Sequence, residues 1–214
     1  MNTDRLRANL DAVRARIDAA CRRARRDPAG VTLVAVTKSV PPDVIRSLVG
    51  LGVEDIGENR PAEALARVGS LTGCRRHMIG HLQTNKLGKT LAWADRIHSV
   101  DRPSLLQALV QSNKKVPIFV QVNVSGEASK GGYAPQDAEA AVAEARSSLE
   151  VLGLMTMAPE GADARPHFRR LRELAARCGL SGLSMGMSQD FEAGVEEGAT
   201  HVRIGTAIFE GVLI

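Results

Sequence analysis

The feature that most constrains the fold is the apolar run VTLVAVTKS, residues 31–39, with a single lysine near its end. Apolar and β-branched residues follow one another here without period-two alternation, a pattern typical of a strand buried on both faces in a parallel sheet. Lys38 therefore comes where this strand ends. A lysine at a dry strand end loses hydration, which favours a neutral amine that reacts with aldehydes. The alternative is a lysine that extends from the strand end into solvent.

Short strands alternate with helices along the rest of the chain. The strands are predicted at residues 31–39, 53–56, 77–79, 96–100, 117–124, 151–155, 183–185 and 201–204. The helices are predicted at residues 3–26, 41–52, within 57–68, and at 84–93, 103–114, 135–148, 164–178 and 189–197. Regular alternation of this kind implies right-handed βαβ units and a parallel sheet.

Eight such units predict an α/β fold, a (β/α)8 barrel of the TIM type with an extra N-terminal helix. The rival is a doubly wound open sheet, which would place a GxGxxG phosphate loop after the first strand. The sequence has TKSVPPD at that position instead. No internal repeat, low-complexity tract or linker marks a second domain, so we expect one domain over residues 1–214.

Composition narrows the class of protein. The chain has 214 residues, of which 44% are hydrophobic, and no window with the length and apolarity of a membrane span or signal peptide. Three widely spaced cysteines argue against a disulfide framework, and together these features predict a cytoplasmic protein.

The net charge of +4 and pI near 9.2 raise the question of nucleic-acid binding. Much of the positive charge is local, because six arginines crowd the first predicted helix: Arg14, Arg16, Arg22, Arg23, Arg25 and Arg26. The same helix has a buried apolar stripe: Leu6, Leu10, Val13, Ile17, Cys21 and Ala24. Aromatic residues make up only 3% of the chain, so few side chains can stack on bases, and we expect no nucleic-acid partner.

In a closed barrel the first and eighth strands are neighbours, and functional groups lie at the carboxyl ends of the strands. The segment SMGMS, residues 184–188, follows the seventh strand, and RIGTA, residues 203–207, follows the eighth. Small residues and hydroxyls at these positions are typical of a phosphate site. A reactive lysine, a phosphate cup and an arginine at one mouth point to pyridoxal phosphate. Taken singly, Gly205-Thr206 is also typical of a capped turn, and Arg203 of a structural ion pair.

Several motifs carry a family resemblance: AVTK (35–38), IGEN (56–59), HMIGHLQTNK (77–86) and SMGMSQDFEAGVEEGATHVRIGTAIF (184–209). In this order, over nearly the whole chain, they resemble the YggS/PROSC family of pyridoxal phosphate homeostasis proteins. The resemblance implies a barrel like the alanine racemase N-terminal domain, which holds pyridoxal 5′-phosphate as a lysine Schiff base.

The resemblance also implies roles for individual residues. Lys38 would be the Schiff-base lysine, and Arg203 would face the pyridine nitrogen. Three groups and one stretch of backbone would hold the phosphate: Ser188, Gly205, Thr206 and the backbone around Met187. Asn59 and His77 would line the ring pocket.

An arginine opposite the pyridine nitrogen keeps that nitrogen unprotonated, because the guanidinium itself stays charged, and this weakens the ring as an electron sink. A racemase also needs a second base, typically a tyrosine from another domain. The only tyrosine, Tyr133, is expected to pack its ring against a surface, although its loop could also reach the mouth. We therefore expect a monomer that binds the cofactor with little or no turnover and contributes to its homeostasis and to amino- and keto-acid balance.

The possible partners are pyridoxal phosphate and apoenzymes that use it. A pyridoxal-phosphate-dependent amino-acid racemase is the alternative function. A lysine-dependent aldolase without a cofactor is a third.

The remaining motifs suggest no further site. His77 and His81 have the spacing of a helical metal pair, but Gly80 and the strand-to-loop setting disrupt that geometry, so no metal site is expected. Lys86 and Lys130 are expected to be solvated, although Lys130 could also contact a phosphate.

Overall fold

The computed structural model describes residues 2–127 and 130–212 and contains a closed barrel of eight parallel strands in the order of the chain. The strands are β1 Thr32–Val36, β2 Asp55–Glu58, β3 Arg75–Met78, β4 Arg96–Val100, β5 Ile118–Gln121, β6 Val151–Met155, β7 Gly182–Met187 and β8 His201–Ile204. The predicted α/β barrel is therefore confirmed, and the open-sheet rival is excluded because β1 pairs with both β2 and β8.

Helices connect the strands and cover the outside of the barrel. They are α1 Thr3–Arg23, α2 Pro42–Gly50, α3 Pro61–Val68, α4 Leu87–Leu91, α5 Pro103–Gln111, α6 Ala138–Arg146, α7 Arg165–Arg177, α8 Phe191–Glu196 and α9 Thr206–Phe209. Single 3-10 turns occur at Pro28–Gly30, Thr84–Lys86 and Pro135–Asp137. One apolar cluster joins the helices to the sheet, with Trp93, Phe168 and Phe191 among its largest fully buried side chains.

Helix α1 is the extra N-terminal helix that the sequence predicts. Asn2 caps it by accepting a hydrogen bond from the backbone N–H of Arg5 at 2.9 Å. The helix buries five residues of the predicted apolar stripe, Leu6, Leu10, Val13, Ile17 and Cys21, and lies against α8 and α9. The sixth, Ala24, follows the end of the helix and is half-buried. Arg16 and Arg23 on its polar side pair with Glu192 and Glu196 of α8 at 3.0 and 2.7 Å. Part of the positive charge of this segment is therefore engaged within the protein.

Several predicted boundaries are wrong for local reasons. The first helix ends at Arg23 and not at Arg26, because Arg25 has a φ of +53°, which a right-handed helix cannot accommodate. The second strand is Asp55–Glu58 and not 53–56, since buried acidic residues extend it into the GEN motif. The helix predicted at 84–93 is a 3-10 turn followed by the five residues of α4, and β5 is half the predicted length. The short α9 was not predicted.

Within the described part of the chain, no helix combines the length and the apolarity that a membrane crossing requires. Cys21, Cys74 and Cys178 are all free thiols.

Strands β6 and β7 pack closely at Gly153 and Gly182, which lie opposite each other. A Cβ on Gly153 would lie 1.9 Å from the backbone oxygen of Gly182, and this backbone cannot move without opening the barrel. We predict that Gly153→Ala lowers the free energy of unfolding by about 3 kcal/mol. Urea denaturation measures this change.

Gly50→Ala is the matched control, because nothing lies within 4 Å of a Cβ at this last residue of α2. Its free energy of unfolding should stay within about 1 kcal/mol of the wild type. Equal stability of the two variants would contradict the tight β6–β7 contact.

Candidate functional site

The carboxyl ends of β1, β7 and β8 bring the predicted lysine and phosphate residues together at one mouth of the barrel. Lys38 lies two residues beyond the end of β1, and Gly205 directly follows β8. The register Ala35–Ile204 makes these two ends neighbours, and a Cβ on Gly205 would lie 3.2 Å from Cβ of Val36. Ser188 directly follows β7, which is the other neighbour of β8. We call this region the β1–β8 mouth.

Lys38 is exposed. The prediction that its amine loses hydration is therefore wrong for this structure, which matches the alternative of a lysine that extends into solvent. The backbone beneath it is instead held firmly. Arg67 of α3 donates from Nη1 to the carbonyl oxygen of Lys38 at 2.7 Å and from Nη2 to that of Thr37. The hydroxyl of Thr37 donates to Oε1 of Glu58 at 2.6 Å. The fold therefore fixes the position from which the Lys38 side chain extends.

Glu58 at the end of β2 is the anchor of this arrangement. Its side chain is buried, and Arg67 Nη2 donates to Oε1 at 2.7 Å. Burial raises the pKa of the Glu58 carboxyl, although the bonds from Thr37 and Arg67 oppose that shift. A buried carboxylate without its cation is costly. The ion pair with Glu58 therefore stabilises the position of Arg67 and, through it, the backbone of Lys38.

The loops after β7 and β8 meet at Ser188 and Gly205. The backbone N–H of Gly205 donates to Oγ of Ser188 at 3.3 Å. Thr206 is exposed next to them as the first residue of α9. The N–H of Met187 donates to Oδ1 of Asp190 at 2.6 Å, and its side chain is 39% exposed. The structure thus brings together Ser188, Gly205 and Thr206, while the Met187 amide is already engaged.

Arg203 of β8 is buried inside the barrel just below this mouth. Its guanidinium donates to Oγ of Ser184 at 2.6 Å and to the carbonyl oxygen of Thr156 at 2.9 Å. Burial lowers the pKa of Arg203 to about 10, with a smaller opposing effect from Asp190. The side chain therefore remains a cation at neutral pH.

His77 and Asn59 occupy different depths. His77 is fully buried in the barrel interior, where its ring nitrogens lie 2.8 Å from Asp55 and 2.8 Å from His98. Because both nitrogens are engaged, its influence on the mouth is indirect. The Oδ1 atom of Asn59 is buried without a hydrogen-bond partner. Asn59 also lines an open cavity of about 270 Å³, together with residues that include His81 and Lys86.

The other candidates do not lie together in one site. Lys130 donates to the carbonyl oxygen of Ala158 at 2.6 Å and pairs with Glu127 at 2.7 Å. Ala128 and Ser129 of the same loop lie outside the described residues. Tyr133 is buried in the apolar core, and burial raises its pKa to about 12. Nδ1 of His81 donates to Oδ2 of Asp101 at 2.8 Å.

No group of three or more His, Cys, Asp or Glu within residues 2–127 and 130–212 is arranged to hold a metal ion.

Sequence reasoning missed the residues that support the site from below. Glu58 and Arg67 hold the Lys38 loop, and Ser184 and His98 lie behind Arg203. The one available signal was DIGE, residues 55–58, where two acids flank an apolar pair in a strand. Such acids need buried partners, but the partners come from elements that only the barrel brings near.

Comparison with known proteins identifies the family to which the chain belongs. Residues 8–211 match the family model described as "Alanine racemase, N-terminal domain". Pyridoxal phosphate homeostasis proteins of Pseudomonas aeruginosa and Aquifex aeolicus are similar to the chain. The first is 44% identical over 94% of this chain and 93% of the relative. The second is 40% identical over 94% of this chain and 95% of the relative.

Two solved structures illustrate the similarity of fold. PipY of Synechococcus elongatus with pyridoxal phosphate bound has a TM-score of 0.81 and 31% identity, over 95% of this chain and 99% of PipY. Alanine racemase of Corynebacterium glutamicum has a TM-score of 0.75 and 18% identity, over 98% of this chain and 61% of the racemase. The latter likeness concerns the fold alone.

The Glu58–Arg67 pair generates a stability prediction. Arg67→Met leaves Glu58 buried without its cation, so we predict a loss of roughly 2–4 kcal/mol in the free energy of unfolding at pH 8. The raised pKa of Glu58 rises further without Arg67, so the folded variant takes up a proton that the unfolded chain does not. The loss should therefore shrink as the pH falls to 5. Urea denaturation at both pH values measures it.

Two further variants complete this test. Arg67→Met combined with Glu58→Gln should recover part of the stability, because the unpaired charge is gone. Arg60→Met, which removes an exposed pair with Glu63, should cost less than about 1 kcal/mol. A deficit for Arg67→Met that is the same at pH 5 and pH 8 would show that Glu58 is not its cause.

Proposed function

Because the chain belongs to the family of pyridoxal phosphate homeostasis proteins, built on the alanine racemase N-terminal domain, we propose that it binds pyridoxal 5′-phosphate and contributes to the homeostasis of this cofactor. One observation carries the proposal for this chain. The β1–β8 mouth places Lys38 beside Gly205 and Ser188, with the cationic Arg203 buried below them. This combination matches an aldehyde that carries a phosphate and an aromatic nitrogen.

The residues present fit the cofactor. Gly205 lacks a Cβ where one would press on Val36 at 3.2 Å, so the backbone of β8 stays close to the end of β1. Ser188 and Thr206 contribute hydroxyls beside the N–H of Gly205, which makes one long bond of 3.3 Å to Oγ of Ser188. Hydroxyls and backbone N–H groups are the donor types that bind phosphate. Asn59 offers a buried Oδ1 atom that has no partner within the described protein. We propose that these residues line the phosphate and ring positions as the family resemblance implies.

Each group of the chain has a distinct task in this proposal. Nζ of Lys38 forms the covalent Schiff-base link, and Arg67 and Glu58 hold the backbone from which that amine extends. Ser188, Gly205 and Thr206 bind the phosphate. Pyridoxal phosphate, when bound, supplies an aldehyde that exchanges amines and a ring that accepts electrons. His77, whose ring nitrogens are both engaged, acts on the ring only through its neighbours.

The surroundings of Arg203 support binding with little turnover. The guanidinium remains charged below pH 10 or so, and a permanent cation beside the pyridine nitrogen disfavours protonation of that nitrogen. The ring is then a weak electron sink. Tyr133, the single tyrosine, is buried in the core, and burial raises its pKa to about 12, which disfavours the deprotonated form that a second base requires. These features favour a cofactor-holding protein over the alternative, an amino-acid racemase.

We further propose that one barrel domain acts as a monomer in the cytoplasm and that apoenzymes are its partners. Leu65 and Met187 are the exposed large apolar side chains among the described residues, too few for the apolar centre of an obligate dimer interface. The free thiols Cys21, Cys74 and Cys178 suit a reducing compartment.

Absorption spectroscopy with single lysine variants tests the proposed function. The wild type incubated with pyridoxal 5′-phosphate and then dialysed should be yellow, because the Schiff base with Lys38 absorbs visible light. Lys38→Ala should lose the colour. Lys86→Ala is the matched control, since Lys86 lies beside the neighbouring cavity and not at the β1–β8 mouth, and it should retain the colour.

The spectra have clear contrary outcomes. A wild type that stays colourless at saturating cofactor would overturn cofactor binding. Colour that survives in Lys38→Ala and disappears in Lys86→Ala would keep the cofactor but move its lysine to the other loop.

A further inference from the structure

A continuous line of polar side chains crosses the interior of the barrel from the β1–β8 mouth to the opposite end. It runs from Arg203 through Ser184, His98 and His77 to Asp55, and each residue comes from a different strand. The successive distances are 2.6, 2.7, 2.8 and 2.8 Å. All five side chains are at least nine-tenths buried. We call them the interior line.

The two ends of the interior line fix one direction of donation when the histidines between them are neutral. A guanidinium only donates, so Oγ of Ser184 accepts from Arg203 and its single hydrogen is free to donate to Nδ1 of His98. Asp55 at the other end is held ionised. Burial alone would raise the pKa of Asp55, but hydrogen bonds from His77 and Arg75 outweigh this and hold it well below its ordinary range. A carboxylate only accepts, so Nε2 of His77 must donate to it.

These constraints meet at the two histidines. Nδ1 of His98 accepts, so the proton of a neutral His98 is on Nε2, which donates to Nδ1 of His77. Nδ1 of His77 accepts, so its proton is also on Nε2 and points to Asp55. When both imidazoles are neutral, the hydrogen bonds therefore close without a conflict only if each ring carries its proton on Nε2.

The surroundings keep both imidazoles neutral. Burial lowers the pKa of His77, against an opposing effect of Asp55, and it lowers the pKa of His98 well below its ordinary value. His201 is a neighbouring half-buried ring, and partial burial lowers its pKa to about 3. The cations that face these rings also disfavour a further positive charge: Arg75, Arg96 and Arg203. The ring of His98 packs on Phe119, with 4.4 Å between centroids.

The side chain that accepts from the guanidinium of Arg203 is therefore a neutral hydroxyl, that of Ser184. The carboxylate that ends the line is four hydrogen bonds away, and Asp190, which acts on Arg203 electrostatically, accepts from the Met187 amide through Oδ1. A carboxylate in place of Ser184 would form an ion pair and turn the guanidinium towards itself. A hydroxyl that is already committed to His98 holds the guanidinium without offsetting its charge.

We propose that the interior line is a one-way hydrogen-bond relay that fixes the guanidinium of Arg203, so that Ser184 and His98 are positioning residues for the ring of the cofactor. The relay itself is a property of the chain alone. Its effect on the cofactor rests on the proposed function. The two parts therefore need separate measurements.

Histidine NMR of the cofactor-free protein tests the relay. Long-range ¹H–¹⁵N correlation distinguishes the two neutral tautomers and the charged ring. His81→Gln and His167→Gln identify the signals of two of the three histidines that lie outside the line. We expect His77 and His98 to keep the Nε2-protonated pattern from pH 6 to pH 9. An Nδ1-protonated pattern, or titration of either ring in this range, would overturn the relay.

Ser184→Ala tests the positioning role, with Ser99→Ala as the matched control. Ser99 is also a fully buried serine, but its Oγ has no partner in the described protein, so its loss should change nothing. Ser184→Ala should weaken pyridoxal 5′-phosphate binding about fivefold to tenfold. It should also shift the midpoint of the pH titration of the bound cofactor's spectrum by roughly half a unit.

These outcomes separate the two proposals. If the wild type does not bind pyridoxal 5′-phosphate, the proposed function fails, while the tautomers still decide whether the relay exists. If the wild type binds it and Ser184→Ala matches Ser99→Ala in both affinity and titration midpoint, the positioning role is overturned.

Discussion

The pairing of β1 with β8 is the interaction on which the candidate site depends. Four register pairs, from Thr32–His201 to Ala35–Ile204, join the first strand to the last and close the barrel. Closure places Lys38 beside Gly205, although nearly the whole chain lies between them. The carboxyl ends of parallel strands lie at one face of the barrel, and this alone brings the loops after β1, β7 and β8 together. The chemistry of the mouth is thus a direct consequence of the topology.

Polar residues inside the barrel are the second constraint. The interior of such a barrel is ordinarily filled by branched apolar side chains. Here five strands contribute the interior line, and each member is satisfied by the next. A half-satisfied network of this kind would cost more than an apolar core, so its members depend on one another. The same logic holds on a smaller scale for Glu58 and Arg67 beneath Lys38.

Much of the fold could be predicted from local sequence. Strands β4, β6 and β8 have the predicted bounds, because turns or helix signals enclose each apolar run closely. The pattern fails at β2, where Glu58 is buried in the strand and is stabilised by Arg67 from α3 and Thr37 from the β1 loop. No local pattern contains those partners. Helix α1 ends at Arg23 because Arg25 has a left-handed backbone conformation, and hydrophobic periodicity does not reveal such a conformation.

The candidate site also contains some residues that the sequence predicts and others that it does not. Lys38, Gly205 and Ser188 follow strands in the sequence, so barrel topology alone predicts that they meet. The roles of Ser184, His98 and Asp55 depend on which side chains share the barrel interior, and this requires the register of all eight strands. His77 was expected at the ring, and its burial against Asp55 and His98 became evident only from that register.

A crystal structure of the protein grown with pyridoxal 5′-phosphate tests the central claim most directly. The account predicts continuous electron density from Nζ of Lys38 to the aldehyde carbon, with the phosphate between Ser188, Gly205 and Thr206 and the guanidinium of Arg203 facing the ring nitrogen. A cofactor bound at another surface, or no cofactor at the β1–β8 mouth at saturating concentration, would contradict it.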